Sequence, residues 1–197
     1  MLEKPFVEEE VKAAVFLCNG EKAPGPDGFS MAALQEGWDI IKEDLIKVFA
    51  EFHKSGIINA KTNETYICLI PKKLNSISVK DFRPISLFTS LYKIIAKVLS
   101  LRLKKVLSSI INENQSAFVE GRHILDMVLI ANEVVEDYRV KKKESIVFKV
   151  DFEKAYDHIN WDFLDFVMEK NGFGTRWKGW IEGCLNSANF SVSSTVN

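Results

Sequence analysis

The segment of residues 146–157, Ile-Val-Phe-Lys-Val-Asp-Phe-Glu-Lys-Ala-Tyr-Asp, constrains this chain more than any other. Its first half is a short apolar run typical of a buried β-strand, and the run ends in a carboxylate, Asp151. A strand end holds a side chain rigidly, and Mg²⁺ in phosphoryl-transfer sites prefers oxygen ligands. In the alternative, Asp151 only caps the turn that leads to Tyr156 and Asp157. The segment therefore predicts a strand over residues 146–152 and leaves two roles open for its acid.

Composition indicates a folded protein and excludes few functions. The chain has 197 residues, of which 47% are hydrophobic and 11% aromatic, enough for a sizeable core. The net charge of −1 gives no general argument for nucleic-acid binding, so such a function must rest on local charge. No apolar run is long enough to cross a membrane, and the acidic N-terminus lacks the order of a signal peptide. The three cysteines are far apart and read as reduced thiols, so we expect an intracellular protein, nuclear or cytoplasmic.

Hydrophobic periodicity and turn residues predict a helix-rich α+β fold. Residues 22–28, rich in proline and glycine, are predicted to form a tight, rigid loop. The predicted helix over residues 30–54 has a possible break at Gly37 and ends at Gly56. The other predicted helices cover residues 7–17, 87–109, 123–140, 160–170 and 176–185, and the predicted strands cover residues 65–70, 146–152 and 189–196.

A basic hairpin is predicted where the strand over residues 65–70 runs into Lys72 and Lys73 and an arginine, Arg83, follows about ten residues later. The planar fork of an arginine and the point charge of a lysine together suit a triphosphate. The alternative is a solvated hairpin tip, which is the common fate of paired lysines. Arg83 fits that alternative less well because it lies between Phe82 and Pro84.

Two other basic features are candidates for contacts with a nucleic-acid backbone. Gly121 and Arg122 precede a predicted helix, where main-chain N–H groups and a guanidinium can face a phosphate. Lys93, Lys97 and Lys104 share one face of the helix predicted over residues 87–109. The alternatives are an ordinary helix start with Arg122 on the surface and an ordinary solvated lysine face.

Six motifs in a fixed order resemble the reverse transcriptases of non-LTR (LINE-type) retrotransposons, most of all those abundant in plant genomes. The resemblance covers nearly the whole chain from about Lys22. It implies the fingers and part of the palm of a right-hand polymerase, with an N-terminal extension helix in residues 1–20, fingers in 21–145 and a partial palm in 146–197. The motifs occupy residues 22–29, 70–73, 82–86, 92–96, 115–122 and 150–157.

The resemblance also implies roles for individual residues. Asp151 matches the acid that binds the catalytic Mg²⁺ or Mn²⁺ ions, and the main-chain carbonyl of Phe152 matches a further metal ligand. Tyr156 matches the aromatic residue that packs under the incoming sugar and excludes a 2′-hydroxyl. Lys72, Lys73 and Arg83 match the fingers residues that contact the phosphates of the incoming nucleotide.

The same resemblance implies the partners. Gln115, Gly121 and Arg122 match a motif that packs near the template, and Lys93 and Lys97 would then follow its phosphates. The expected partners are an RNA template, a DNA primer and deoxynucleoside triphosphates, with no membrane.

The family's next landmarks, motif B and the paired acids of motif C, do not appear before Asn197. Because two metal ions need carboxylates from both motifs, we expect the 197-residue chain to be inactive alone and the rest of the same polyprotein to be a possible partner. One alternative is a catalytically inactive remnant that binds nucleic acid or protein. Another is an unrelated α/β phosphotransferase with Asp151 as its nucleophile, although no glycine-rich phosphate loop accompanies it.

Overall fold

A computed structural model describes residues 1–117, 119–142, 144, 146, 148, 158–186 and 189–192. The chain divides into two compact units. The first consists of Met1–Leu101 and Gly174–Asn197, and the second of Arg102–Phe173. The functional boundaries predicted at residues 20 and 145 follow motifs rather than packing, and they stay predictions.

Helices predominate in the described residues, and a small mixed sheet accompanies them. The helices are α1 (Glu8–Phe16), α2 (Met31–Glu36), α3 (Trp38–Ser55), α4 (Ser90–Ile110), α5 (Ile124–Val140), α6 (Trp161–Lys170) and α7 (Thr175–Asn186). The strands are β1 (Glu64–Pro71), β2 (Phe82–Phe88) and β3 (Asn189–Val192), and a short 3₁₀ turn, Val79–Asp81, precedes β2.

Two glycines delimit α3 as predicted. Gly37 separates α2 from α3, and Gly56 ends α3 with φ of 67°, a left-handed conformation that glycine adopts without strain. Ser30 caps α2 by accepting a hydrogen bond from the Ala33 N–H at 3.2 Å. The predicted break and both ends of this helical region are therefore confirmed.

The sheet has the order β2-β1-β3. β1 and β2 form an antiparallel hairpin whose register runs from Thr65 opposite Phe88 to Pro71 opposite Phe82. β3 lies parallel to β1 on its other side. The prediction that residues 87–88 begin a helix is wrong, because they belong to β2 and α4 starts only at Ser90. Pro84 and the absence of an alternating pattern conceal this strand, which is at the edge of the described sheet, where a proline is tolerated.

The core of the first unit contains a cluster of aromatic side chains. The ring of Phe6 lies 5.1 Å from the rings of both Phe49 and Trp180, centroid to centroid. Glu3 accepts a hydrogen bond from the Trp177 N–H at 2.8 Å, and thereby satisfies an open donor in the first turn of α7. The N-terminal segment thus ties α3 to α7. The buried apolar side chains of this unit are Val11, Ala14, Val15, Met31, Trp38, Phe49, Phe52, Ile58, Ile94, Ile95, Val98, Leu99, Trp177, Trp180 and Cys184.

The second unit differs in its burial. The helices α5 and α6 bury none of their residues, although both lie where the sequence predicted them. Asn160 caps α6 by accepting a hydrogen bond from the Phe163 N–H at 2.8 Å, as predicted. Most of the strand predicted over residues 146–152 lies outside the described residues, as does the second half of the strand predicted over residues 189–196.

The chemistry of the cysteines agrees with the prediction of unpaired thiols. Cys18, Cys68 and Cys184 are all free, and burial raises the pKa of Cys184 to about 12. A separate finding concerns membranes: none of the helices in the described residues has the length and apolar character needed to cross one.

Candidate nucleotide and template site

The residues predicted to hold the metal lie outside the described part of the chain. They are Asp151, Phe152 and Tyr156. Within the described residues, no group of three or more histidine, cysteine, aspartate or glutamate side chains is arranged to hold a metal ion. The predicted convergence of Asp151 with the basic hairpin therefore stays a prediction, as do the metal and sugar contacts.

The basic hairpin forms as predicted, and its register places Arg83 directly opposite Ile70. The ladder continues past β1, because the Lys72 N–H donates to the Asp81 carbonyl at 2.8 Å. Lys72 is two residues beyond Ile70, so it projects from the same face of the hairpin as Arg83. Arg83 is exposed, and its guanidinium forms no hydrogen bond or ion pair with any of the residues that the structure describes. Its donors are therefore available to a ligand.

The two lysines at the hairpin tip already have partners. The Lys72 ammonium donates to the Lys80 carbonyl at 2.8 Å, and the Lys73 ammonium forms an ion pair with the Asp81 carboxylate at 2.8 Å. The hydrogen bond from Lys73, followed by those from the main chain at residues 78 and 77, holds the pKa of Asp81 below its ordinary value. A phosphate that binds here must compete with these contacts for the lysines.

The loop over residues 22–28 is attached to the junction between β2 and α4. The Asp27 carboxylate accepts hydrogen bonds from the Ser90 N–H at 2.6 Å and from the Ser90 hydroxyl at 2.5 Å, at the N-terminus of α4. Gly25 lies so close to the Phe88 carbonyl that a Cβ atom there would overlap it. Sequence reasoning predicted a rigid loop but missed this role for Asp27, because nothing near residue 27 in the sequence identifies Ser90 as its partner.

The three lysines on one face of α4 have different surroundings. The Lys93 ammonium donates to the Ala23 carbonyl at 3.0 Å, in the same loop. Burial raises the pKa of Cys18, and the charges of Lys97 and Lys93 partly offset that rise, so both lysines lie near the end of α1. Lys104 pairs with Glu120 at 3.2 Å. These contacts do not test a template role, but they show which lysines are already engaged.

Arg122 is placed as a clasp on the end of α4. Its Nη1 donates to the carbonyls of Asn112 at 2.6 Å and Gln115 at 2.7 Å, and its Nη2 donates to those of Ser108 and Ile111 at 3.1 Å each. The last carbonyls of a helix have no partner within the helix, and a cation there also meets the negative end of its dipole. The side chain of Gln115 and the turn at Gly121 are exposed nearby. Sequence reasoning saw Arg122 only as a phosphate contact or a surface residue.

With this geometry in view, comparison with known proteins decides the family. Residues 70–196 match the family described as "Reverse transcriptase (RNA-dependent DNA polymerase)". The chain belongs to this family. The match includes both the basic hairpin and the segment of Asp151, and the helix-rich α+β fold with a small mixed sheet agrees with partial fingers and palm.

Named relatives come from non-LTR retrotransposons. The chain is 32% identical to "Transposon TX1 uncharacterized 149 kDa protein" of Xenopus laevis over 201 residues, which cover 99% of this chain and 15% of that protein. It is 26% identical to the Pol polyprotein of the type-1 element R1 of Bradysia coprophila, covering 89% of this chain and 18% of that polyprotein. For the R2 polyprotein of Popillia japonica, the identity is 22%, covering 96% of this chain and 26% of the relative.

These relatives confirm the resemblance inferred from the six motifs. The chain spans about a sixth to a quarter of the length of the relatives it matches. The likeness to plant elements is not tested by them and stays a prediction.

Proposed function

We propose that the protein containing this chain is an RNA-directed DNA polymerase of a non-LTR retrotransposon. The observation that carries this proposal is the family match over residues 70–196, which joins the basic hairpin and the segment of Asp151 in one domain. It favours a polymerase over the two alternatives, a binding remnant and an unrelated phosphotransferase. The reaction joins a primer 3′-hydroxyl to the α-phosphorus of a deoxynucleoside triphosphate on an RNA template and releases pyrophosphate.

The nucleotide is bound by the hairpin. Arg83 donates its fork of N–H groups to phosphate oxygens, and it is ready to do so because no described residue occupies it. Lys72 and Lys73 add positive charge beside it once a phosphate has displaced their present partners. The ring of Tyr156 packs against the sugar and excludes a 2′-hydroxyl.

The divalent metal, Mg²⁺ or Mn²⁺, would be held by the Asp151 carboxylate and the Phe152 carbonyl, which are the hard oxygen ligands that such ions prefer. When bound, it stabilises the negative charge that develops on the phosphoryl oxygens. The part of Asp151 is to fix the position at which that charge is met.

The template contacts the exposed loop after α4 and one face of that helix. Gln115 and Gly121 face the template, and Lys97 and Lys93 offer charge to its phosphates. Arg122 acts from behind, because its clasp on α4 fixes the main chain of Gln115. The membership of the chain in its family extends to nucleic-acid substrates in general; these individual contacts are part of the proposal.

Primer extension on an RNA template, with Mg²⁺ or Mn²⁺, tests the function in the intact protein. We expect Asp151→Ala to lower the rate by roughly a hundredfold or more, the size seen when one transition-state contact is removed. Asp44→Ala, on the exposed surface of α3, is the matched control and should leave the rate unchanged. Tyr156→Ala should lower the discrimination against ribonucleotides.

Two results would count against the polymerase. Extension that survives Asp151→Ala would remove that residue from the reaction. An intact protein that binds RNA but extends no primer would instead support the binding remnant.

A further inference from the structure

The tip of the hairpin contains one acidic residue among four basic ones. Residues 72–83 include Lys72, Lys73, Lys80 and Arg83 as positive charges and only Asp81 as a negative charge. In a site that must attract a polyanion, this carboxylate opposes the binding, since like charges repel and the effect is strong over the short distances of a hairpin tip. Its presence therefore needs a structural reason.

The two oxygens of Asp81 have separate tasks. Oδ2 accepts hydrogen bonds from the Ser78 N–H at 3.2 Å and the Ile77 N–H at 3.4 Å, and Ser78 and Asp81 form a reciprocal capping box around the 3₁₀ turn. Oδ1 forms the ion pair with Lys73 at 2.8 Å. One oxygen thus shapes the tip, and the other withholds a lysine from any ligand.

We propose that Asp81 sets the affinity of the hairpin for the triphosphate of the incoming nucleotide, because its carboxylate holds Lys73 in an ion pair that the triphosphate must displace. This inference rests on the proposed function, in which the hairpin binds the nucleotide. The Lys73 side chain is 64% exposed and that of Asp81 is 22% exposed, so the lysine is the mobile partner and the acid is the fixed one. Lys73 turns from Asp81 to the phosphates when a nucleotide arrives and returns when pyrophosphate leaves.

An asparagine at this position separates the two tasks. Asp81→Asn keeps an oxygen for the N–H groups of Ser78 and Ile77 but loses the charge that holds Lys73. Asp81→Ala loses both, so it loosens the tip as well. The difference between these two variants shows whether charge or shape governs the affinity.

The first experiment measures the binding of inorganic tripolyphosphate to the intact protein by calorimetry, which needs no catalysis. We expect Asp81→Asn to tighten binding roughly two- to fivefold, the range for one exposed ion pair, and to make the affinity fall more steeply with salt. The gain should be smaller in a Lys73→Met background. Asp44→Asn, which removes an equally exposed pairing with Lys47 on α3, is the control and should change nothing.

The second experiment measures the KM for a deoxynucleoside triphosphate in primer extension, which should fall in Asp81→Asn by a similar factor. Weaker tripolyphosphate binding in Asp81→Asn, or an equal gain with and without Lys73, would overturn the inference. A wild-type protein that extends no primer would contradict the proposed function, while a Lys73-dependent gain in tripolyphosphate binding would still uphold the role of Asp81. Active extension with an unchanged KM would do the reverse.

Discussion

The hairpin of β1 and β2 and the loop that follows α4 each carry one arginine, and the two guanidinium groups have opposite surroundings. Arg83, on the hairpin, is exposed and has no polar partner in the part of the chain that the structure describes. Arg122, on the loop, donates to four main-chain carbonyls. Both have the residue type and the local sequence of a phosphate contact.

The difference comes from the main chain around each residue. On the hairpin, the antiparallel ladder pairs the carbonyls of β1 with the N–H groups of β2, so little is left for a side chain to satisfy. At the end of α4, the last carbonyls have no partner in the helix, and Arg122 takes them. An arginine near a helix C-terminus is therefore first a candidate for a clasp, whereas one on a paired strand is first a candidate for a ligand contact.

The largest expected effect is on stability. We expect Arg122→Ala to lower the free energy of unfolding by about 2–3 kcal/mol, because it leaves several carbonyls without their charged donor. Arg83→Ala should change it by less than about 0.5 kcal/mol, as is usual for a surface residue. Urea unfolding measures both, and amide hydrogen exchange over residues 108–122 shows whether the loss is local.

Arg122→Lys is the control for this comparison. It keeps the charge but lacks the planar fork, so it should recover only part of the stability. Equal destabilisation by Arg83→Ala and Arg122→Ala would show that the hairpin arginine also has a structural role, and the contrast between the two regions would fail.

The next effect is on nucleotide binding and has the opposite distribution. Arg83→Ala should raise the KM for the deoxynucleoside triphosphate about tenfold in primer extension, the cost of about one charge-assisted hydrogen bond. Its urea midpoint should stay unchanged. Arg122→Lys should leave that KM within about twofold of the wild-type value, because Arg122 acts on the main chain of α4 rather than on the nucleotide. A larger rise in KM for Arg122→Lys than for Arg83→Ala would reverse the assignment of the two arginines.

The smallest effect concerns pH at the hairpin tip. Because Lys73 lowers the pKa of Asp81 below the ordinary value of 3.8, the ion pair contributes stability above that value. The contribution is lost as the pH falls through the lowered pKa of the folded state. A titration of the Asp81 carboxyl by NMR should show this midpoint, and Lys73→Met should move it upwards, towards 3.8. A midpoint that is the same in both proteins would mean that the pair does not persist in solution.

Local sequence was sufficient for the helices with a clear apolar period and recognisable ends. Gly37 and Gly56 delimit α3, and Asn160 caps α6, because these residues act on the few peptide groups next to them. The strand β2 was missed for the opposite reason. Its Phe-Arg-Pro-Ile-Ser-Leu-Phe sequence has no alternation, and it is a strand because β1 pairs with it.

The candidate site divides along the same line. Sequence motifs identified the family, the basic hairpin, and Asp151, whose position the described residues do not test. They did not identify Asp27 as the ligand of Ser90, because the partners are 63 residues apart and the short loop offers no local signal for the contact.

The sequence by itself therefore determined the chemical repertoire of this protein: its six ordered motifs, its helix-rich α+β class and the basic residues able to meet a phosphate. Only the tertiary structure decided which of those residues are available. Lys73 is paired with Asp81, Arg122 is bound to the end of α4, and Arg83 remains open. The physical reason is that a hydrogen-bond donor takes the nearest unsatisfied acceptor, and folding alone sets which acceptors are near and unsatisfied.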